Sequence, residues 1–161
     1  AYSECVFQFL TQHDHDYLVQ LHQKIKKKVI RPQMRPEGFK AIQRHIDAGH
    51  QLVGITATSD FITAPIFREF GIREIIATNA EVVDGQYTGK VINIPCYQQG
   101  KLARLDQWLA GREVTESWAY SDSINDRFLL EYADHAIAVN PDDRLEKLAQ
   151  EQGWEIQDWS I

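Results

Sequence analysis

The sequence is poor in cysteine, in positive charge and in long apolar stretches, and each shortage argues against a class of protein. Two cysteines, Cys5 and Cys96, cannot build a disulfide framework, so we expect the reducing cytoplasm. Lys and Arg total 17 against 23 Asp and Glu, and the formal net charge of −6 disfavours a nucleic-acid partner. No apolar run approaches the roughly 20 residues of a membrane span, and no signal-peptide pattern opens the chain. We therefore expect no membrane partner.

What the chain does have is ordinary globular composition, with 43% hydrophobic and 25% charged residues among 161. This length allows one compact domain, with or without a small appendage. From Pro36 onward apolar strands alternate with helices, which is typical of a parallel sheet covered on both faces. We therefore predict a doubly wound α/β body over residues 32–161, preceded by a helical piece over residues 1–31.

Apolar periodicity, caps and turns predict the individual elements. Helices are predicted at residues 2–10, 17–30, 36–48, 60–70, 101–109, 124–132 and 142–152. Strands are predicted at residues 51–56, 74–78, 81–83, 86–92, 117–120, 136–139 and 155–156. Because ligands of such sheets bind beyond the carboxyl ends of the strands, the residues just after each strand are the candidates for a functional site.

Two of these positions hold groups that suit an anion. Thr56 ends a predicted strand just before a helix, where its hydroxyl and free backbone N–H groups suit phosphate. Lys101 opens a helix, where its charge conflicts with the helix dipole unless an anion lies in front of it. Each residue also has an ordinary structural explanation: Thr56 as a turn cap and Lys101 as a solvated side chain.

A third position carries paired acids. Asp122 and Asp126 follow a predicted strand, with Asn125 between them. Two carboxylates there repel each other unless a cation intervenes, and Mg²⁺ suits that place because it also binds phosphate oxygens. A helix N-cap explains each acid singly, but not why hydroxyl, lysine and acids all follow strands. Together they predict phosphoryl chemistry, although no Ser or Cys stands beside a His as an activated nucleophile.

Three segments carry a family resemblance: residues 51–58 (QLVGITAT), 95–101 (PCYQQGK) and 120–126 (YSDSIND). They resemble the haloacid dehalogenase-type phosphatases, in the phosphoserine-phosphatase-like branch that includes bacterial histidinol-phosphate phosphatases. The similarity runs from about residue 30 to residue 159. It implies a Rossmann-type α/β core over residues 32–161 and a partial helical cap over residues 1–31.

The resemblance implies a role for each candidate residue. Thr56, with Ala57, would bind the phosphoryl group, and Lys101 would neutralise phosphate and nucleophile charge. Asp122 would be the Mg²⁺ ligand. Two further residues of the last motif would act beside it: Asp126 would hold the lysine or a metal-bound water, and Asn125 would support the substrate side.

The family's first motif, a strand ending in Asp-x-Asp that supplies the nucleophile, has no counterpart in this chain. Residues 13–16 (HDHD) contain an Asp-x-Asp pattern, but they lie in helical sequence with no apolar strand before them. We therefore expect a longer natural protein whose N-terminal segment carries the nucleophile and the first core strand. That segment or a second chain would complete the sheet, and this chain alone would be inactive.

The predicted enzyme is thus a Mg²⁺-dependent phosphatase of small soluble phosphate monoesters that works through an aspartyl-phosphate. Histidinol phosphate and phosphoserine are the substrates that the resemblance offers. One alternative is a non-catalytic phospho-acceptor or binding module of receiver-like fold. In a receiver, however, the acidic pair comes near the chain start and the lysine last, whereas here Lys101 precedes Asp122 and Asp126. The other alternative is a structural fragment that binds no ligand unless a further segment or chain completes it.

Overall fold

A computed structural model describes residues 2–160, with the side chains of residues 5–160. Within this range the α-helices are α1 Tyr2–Thr11, α2 His15–Ile25, α3 Pro36–Asp47, α4 Asp60–Glu69, α5 Gln99–Leu109, α6 Arg127–Tyr132 and α7 Asp143–Gln152. The strands are β1 Val53–Ser59, β2 Glu74–Thr78, β3 Ala80–Val83, β4 Gln86–Val91, β5 Trp118–Ser121, β6 His135–Val139 and β7 Glu155–Gln157. Among the described helices, none is both long and apolar enough to cross a membrane.

The chain divides into two compact units, one ending at Cys96 and one beginning at Tyr97. Each unit contains one sheet of parallel strands, and this confirms the α/β fold class. The extra core strand expected from another segment stays a prediction. So does the division into a cap of residues 1–31 and a core of residues 32–161.

The N-terminal unit is built around the parallel pair β1–β2, in which Ile55 lies opposite Ile76. Helix α4 connects these strands and packs closely on β1. A Cβ at Gly54 would lie 2.7 Å from the ring of Phe67, so only glycine allows this approach. The pairing register shifts between Ile55 and Ser59, at the carboxyl end of β1 where the sequence predicts a site.

The other strands of this unit form the antiparallel hairpin β3–β4. Its turn is Asp84-Gly85, and both residues have positive φ, 50° and 79°. Two positive φ values define the type I′ turn, whose twist matches that of the flanking strands. The strands predicted at residues 81–83 and 86–92 are therefore confirmed as the two arms of one hairpin.

The C-terminal unit holds the parallel sheet β5–β6–β7, in order along the chain. Trp118 lies opposite His135, and Ile137 opposite Glu155. Its core is the buried set Leu130, Ala136, Ala138, Leu145 and Ala149. These apolar contacts hold α6 and α7 against β6 and so fix the loop that follows β5.

The second helix continues further than the sequence predicts. Instead of ending before Pro32, helical geometry runs on as a π-helical turn at Lys26–Ile30 and a 3₁₀ turn at Arg31–Gln33. Pro32 is tolerated because it lies at the start of the last turn, where no backbone N–H is needed. This segment is tied to the end of α4 by Glu69, which pairs with Lys26 at 2.8 Å and with Arg31 at 2.9 Å.

The Glu69 ion pairs make stability depend on pH. Hydrogen bonds from Arg31 and Lys26 lower the pKa of Glu69 from 4.5 to about 2. As the pH falls, Glu69 in the unfolded chain therefore takes up its proton at a higher pH than in the folded chain. The free energy of unfolding that these pairs contribute is fully present above pH 4.5 and is lost between pH 4.5 and 2. In urea unfolding, Glu69→Gln should be less stable than wild type at pH 7 and equal to it near pH 2. The exposed pair of Glu37 and Lys40 offers a control, Glu37→Gln, with a much smaller pH effect. An effect of Glu69→Gln that persists undiminished in acid would contradict this account.

Candidate active site

A buried ion pair lies at the carboxyl end of β5. Lys101, the third residue of α5, is only 7% exposed, and its Nζ contacts Oδ1 of Asp126. The second oxygen of Asp126 accepts a hydrogen bond from Ser121 Oγ at 2.8 Å. Asp126 thus balances a lysine charge that the start of a helix disfavours. Lys101 is held as a fixed cation with little access to water.

The loop after β5 carries Asp122 and Asn125, both exposed. Ser121 and Ser123 shape this loop through their hydroxyls. Ser121 Oγ accepts from the N–H of Ser123 at 3.2 Å, and Ser123 Oγ accepts from the N–H and the side-chain amide of Asn125, both at 3.3 Å. Among the described side chains, Asp122 has no hydrogen-bond or ion-pair partner. Its carboxylate is available to a cation.

Asp142 is a site residue that the sequence did not reveal. Its N–H donates to the carbonyl of Asp122 at 2.8 Å, and its Oδ2 accepts from the N–H of Ile124 at 2.9 Å. Its Oδ1 caps α7 by accepting from the N–H groups of Arg144 and Leu145. The hydrogen bonds that the Asp142 carboxylate accepts lower its pKa, the one from Ile124 most. The sequence predicts the helix start at Asp142, but not the contact with a loop about twenty residues earlier.

The two functions of Asp142 can be separated by substitution. A side-chain amide at this position has one oxygen, so it can cap α7 or accept from Ile124, but not both. We expect Asp142→Asn to cost about 1 kcal/mol of unfolding free energy, and Asp142→Ala to cost more because the cap is lost as well. Denaturant unfolding of both variants measures this. Equal losses would contradict the separation, and so would no loss in Asp142→Asn.

Thr56 and Ala57 lie in the N-terminal unit, within β1. The strand continues to Ser59 rather than ending at Thr56 as predicted, because irregular pairing with β2 extends it. Thr56 Oγ1 accepts from the N–H of Thr58 at 3.2 Å, and the Ala57 carbonyl accepts from Thr78 Oγ1 at 2.9 Å. The structure therefore brings together Lys101 and Asp126. The convergence of Thr56 on Lys101 stays a prediction.

The donor set fits Mg²⁺ as a partial site. Within residues 5–160 no three His, Cys, Asp or Glu side chains group closely enough to hold a metal. Mg²⁺, however, is commonly held by one or two carboxylates, with water and phosphate completing its shell. Asp122 can supply one such carboxylate. The Asp-x-Asp letters at residues 13–16 do not add to it, because Asp14 caps α2 by accepting from the N–H of Tyr17 at 2.8 Å.

Known proteins match this chain along most of its length. The family model for haloacid dehalogenase-like hydrolases matches residues 2–131. A histidinol-phosphatase from Neisseria meningitidis serogroup C (strain 8013) is 39% identical, over 91% of this chain and 69% of that protein. Phosphoserine phosphatase SerB1 from Mycobacterium tuberculosis (strain ATCC 25618 / H37Rv) is 40% identical, over 89% of this chain and 47% of that protein.

Solved structures also resemble this chain in their fold. A protein of unknown function from Bordetella pertussis Tohama I has a TM-score of 0.93 at 38% identity, over 98% of this chain and 73% of that one. A probable phosphoserine phosphatase from Vibrio cholerae has a TM-score of 0.71 at 16% identity, over 91% of this chain and 43% of that one, and shares the fold.

A buried lysine–aspartate pair lies at the carboxyl end of a parallel strand, and an exposed aspartate follows on the loop after that strand. In an α/β protein this combination suits a hydrolase of anionic substrates. The chain belongs to the haloacid dehalogenase-like hydrolases. Within that family it lies in the branch of the histidinol- and phosphoserine-phosphatase-like proteins, so the predicted enzyme class, a phosphatase, is confirmed. The chain spans 69% of the first of these relatives and 47% of the second.

Proposed function

We propose that the protein to which this chain belongs hydrolyses small phosphate monoesters with the help of Mg²⁺. The observation that carries the proposal is Lys101, a buried cation fixed by Asp126. Asp122, on the loop that follows β5, adds an exposed carboxylate with no partner among the described side chains. A fixed positive charge with little water around it stabilises an anionic transition state strongly, because no solvent has to reorganise during the reaction. The chain's membership of the haloacid dehalogenase-like hydrolases supports the same proposed hydrolysis.

Each residue has a role in the proposed reaction. The Thr56 hydroxyl and the Ala57 backbone bind phosphoryl oxygens, and Lys101 neutralises their charge. Asp126 positions Lys101, and Asn125 supports the substrate side. Asp122 holds Mg²⁺, which when bound supplies further positive charge to the phosphoryl oxygens.

The nucleophile in this proposal is an aspartate outside residues 1–161. Its carboxylate attacks phosphorus, the P–O bond to the substrate alcohol breaks, and the leaving alkoxide takes a proton from the general acid–base residue of the same motif. Water then attacks the aspartyl-phosphate, which releases inorganic phosphate and restores the carboxylate. The segment that carries this aspartate, or a second chain, also supplies the missing core strand. The chain alone should therefore be inactive.

Histidinol phosphate and phosphoserine are the candidate substrates, because relatives are named for them. The proposal includes a cytoplasmic location and no nucleic-acid or membrane partner.

Hydrolysis of p-nitrophenyl phosphate tests the proposal. It should be measured with and without Mg²⁺, on this chain and on a form extended to the native start codon. We expect turnover only in the extended form and only with Mg²⁺. A burst of covalent labelling without turnover would instead indicate a receiver-like phospho-acceptor, and no reaction in the extended form would contradict both readings.

A further inference from the structure

Two histidines meet where α3 ends and the chain turns towards β1. The Nδ1 atoms of His45 and His50 lie 2.8 Å apart, and the centroids of the two rings are 5.1 Å apart. Both side chains are half-buried. The pair precedes the amino end of β1, whereas Thr56 lies three residues into that strand, about 10 Å further along. None of the roles assigned above uses these histidines.

The backbone between the two histidines is fixed by the way α3 ends. Gly49 has a φ of 77°, its N–H donates to the carbonyl of Ile46, and the N–H of His50 donates to the carbonyl of His45, both at 2.9 Å. A left-handed glycine with these two bonds is the Schellman motif. Because the backbone already holds the two rings side by side, little conformational freedom is lost when both bind one ion.

The protonation of the pair suits a metal ion. A hydrogen bond between two Nδ1 atoms requires one nitrogen to donate a proton and the other to present its lone pair. Burial, and then the charges of His50 and Arg44, lower the pKa of His45. His45 is therefore neutral at pH 7, and neutral imidazole is the form that binds metals. Arg44 is exposed, so solvent weakens its repulsion of a cation at the pair.

The separation of the two nitrogens favours one coordination geometry. Metal–nitrogen bonds of about 2.0–2.1 Å place two ligands about 2.9 Å apart at a right angle and about 3.3 Å apart at the tetrahedral angle. The 2.8 Å between the histidine nitrogens is closer to the first value. Right angles occur in the tetragonal sites of Cu²⁺ and Ni²⁺, whereas Zn²⁺ prefers tetrahedral sites.

We propose that His45 and His50 form a two-histidine site for a tetragonal divalent transition metal, Cu²⁺ or Ni²⁺. Both Nδ1 atoms bind the ion, and water fills the remaining positions. The ring that now donates the hydrogen bond carries its proton on Nε2 instead, so the pair releases no net proton. Both rings turn until their lone pairs converge on the ion. The bound ion ties the end of α3 to the segment before β1, and so stabilises the folded N-terminal unit.

Calorimetric titration with Ni²⁺ near neutral pH tests the inference in the protein extended to its native start codon. His45→Gln and His50→Gln should each weaken this site at least about a hundredfold, because groups that merely orient a metal ligand are already worth about 10- to 100-fold. His15→Gln removes an exposed histidine of α2 and should keep the site. Asp122→Asn should keep it as well, which distinguishes it from the proposed Mg²⁺ site.

Paramagnetic resonance of the Cu²⁺-loaded protein identifies the ligands. Wild type labelled with ¹⁵N-histidine should show hyperfine coupling to two nitrogens, and either glutamine variant should lose it. Equal Ni²⁺ binding in wild type and both variants would overturn the assignment, and so would Zn²⁺ that outcompetes Ni²⁺ at the pair.

A measurement on wild type alone decides the matter if the variants do not fold. Substoichiometric Cu²⁺ should broaden the nuclear magnetic resonance signals of the His45 and His50 rings before those of the other histidines. Broadening of another histidine first would overturn the assignment. None of these readouts is phosphatase activity, so this inference and the proposed function stand or fall separately.

Discussion

In the protein extended to its native start codon, replacing Lys101 by methionine is expected to lower phosphatase activity by about two to three orders of magnitude, the usual loss when one fixed charge-stabilising group is removed. The same change leaves Asp126 as a poorly hydrated carboxylate without its cation, since Lys101 and Asp126 side chains are only 8% and 17% exposed. We expect a loss of about 3 kcal/mol in unfolding free energy. Steady-state kinetics and denaturant unfolding measure the two effects.

A second substitution separates the two effects. The double variant Lys101→Met/Asp126→Leu removes both charges, so it should recover most of the lost stability but none of the activity. Lys147→Met removes an exposed lysine, 78% accessible, that pairs loosely with Glu151 at 3.9 Å, and should change neither quantity much. An active double variant would show that Lys101 serves the fold and not the chemistry.

The Asp122→Asn variant should behave in the opposite way, with activity lost and stability kept. Asp122 is exposed and has no partner among the described side chains, so the fold does not depend on its charge. An amide is a far weaker ligand for Mg²⁺ than a carboxylate, so activity should fall at least about a hundredfold, and the Mg²⁺ concentration for half-maximal activity should rise.

Asp106→Asn is the matched control, because Asp106 is an exposed acid on α5 in the same unit. It should leave both the Mg²⁺ dependence and the thermal unfolding of the protein unchanged. If Asp122→Asn kept the wild-type Mg²⁺ response, Asp122 would not be the metal ligand. If it unfolded at clearly lower temperature, the carboxylate would have a structural role that the described contacts do not include.

Local signals in the sequence predict most of the secondary structure. Alternating apolar strands and helices give the α/β class, Asp84-Gly85 gives the hairpin, and Gly49 follows the end of α3 with a φ of 77° as a helix-ending glycine should. The errors lie at ends of elements. Strand β1 runs to Ser59 because pairing with β2 extends it, and no local pattern around Thr56 encodes that partner.

The sequence predicts which side chains supply the chemistry of the candidate site, but not the hydrogen bonds that hold them in place. Lys101 and Asp126 follow from charge at helix starts and strand ends, and the structure pairs them. The hydrogen bonds from Ser121 to Asp126 and from Ile124 to Asp142 depend on tertiary packing, and their residue types are common caps anywhere in a chain. Only the folded arrangement distinguishes a cap from a residue that positions the site.

In the proposed reaction Thr56, Lys101 and Asp122 act on one phosphoryl group. A crystal structure of the protein extended to its native start codon, grown with Mg²⁺ and orthovanadate as a phosphate mimic, tests it directly. We expect Thr56 Oγ1 and Lys101 Nζ both within about 3 Å of oxygens of one vanadate, and a carboxylate oxygen of Asp122 on the adjacent Mg²⁺. A vanadate that contacts Lys101 while Thr56 lies elsewhere, or a Mg²⁺ bound without Asp122, would contradict it.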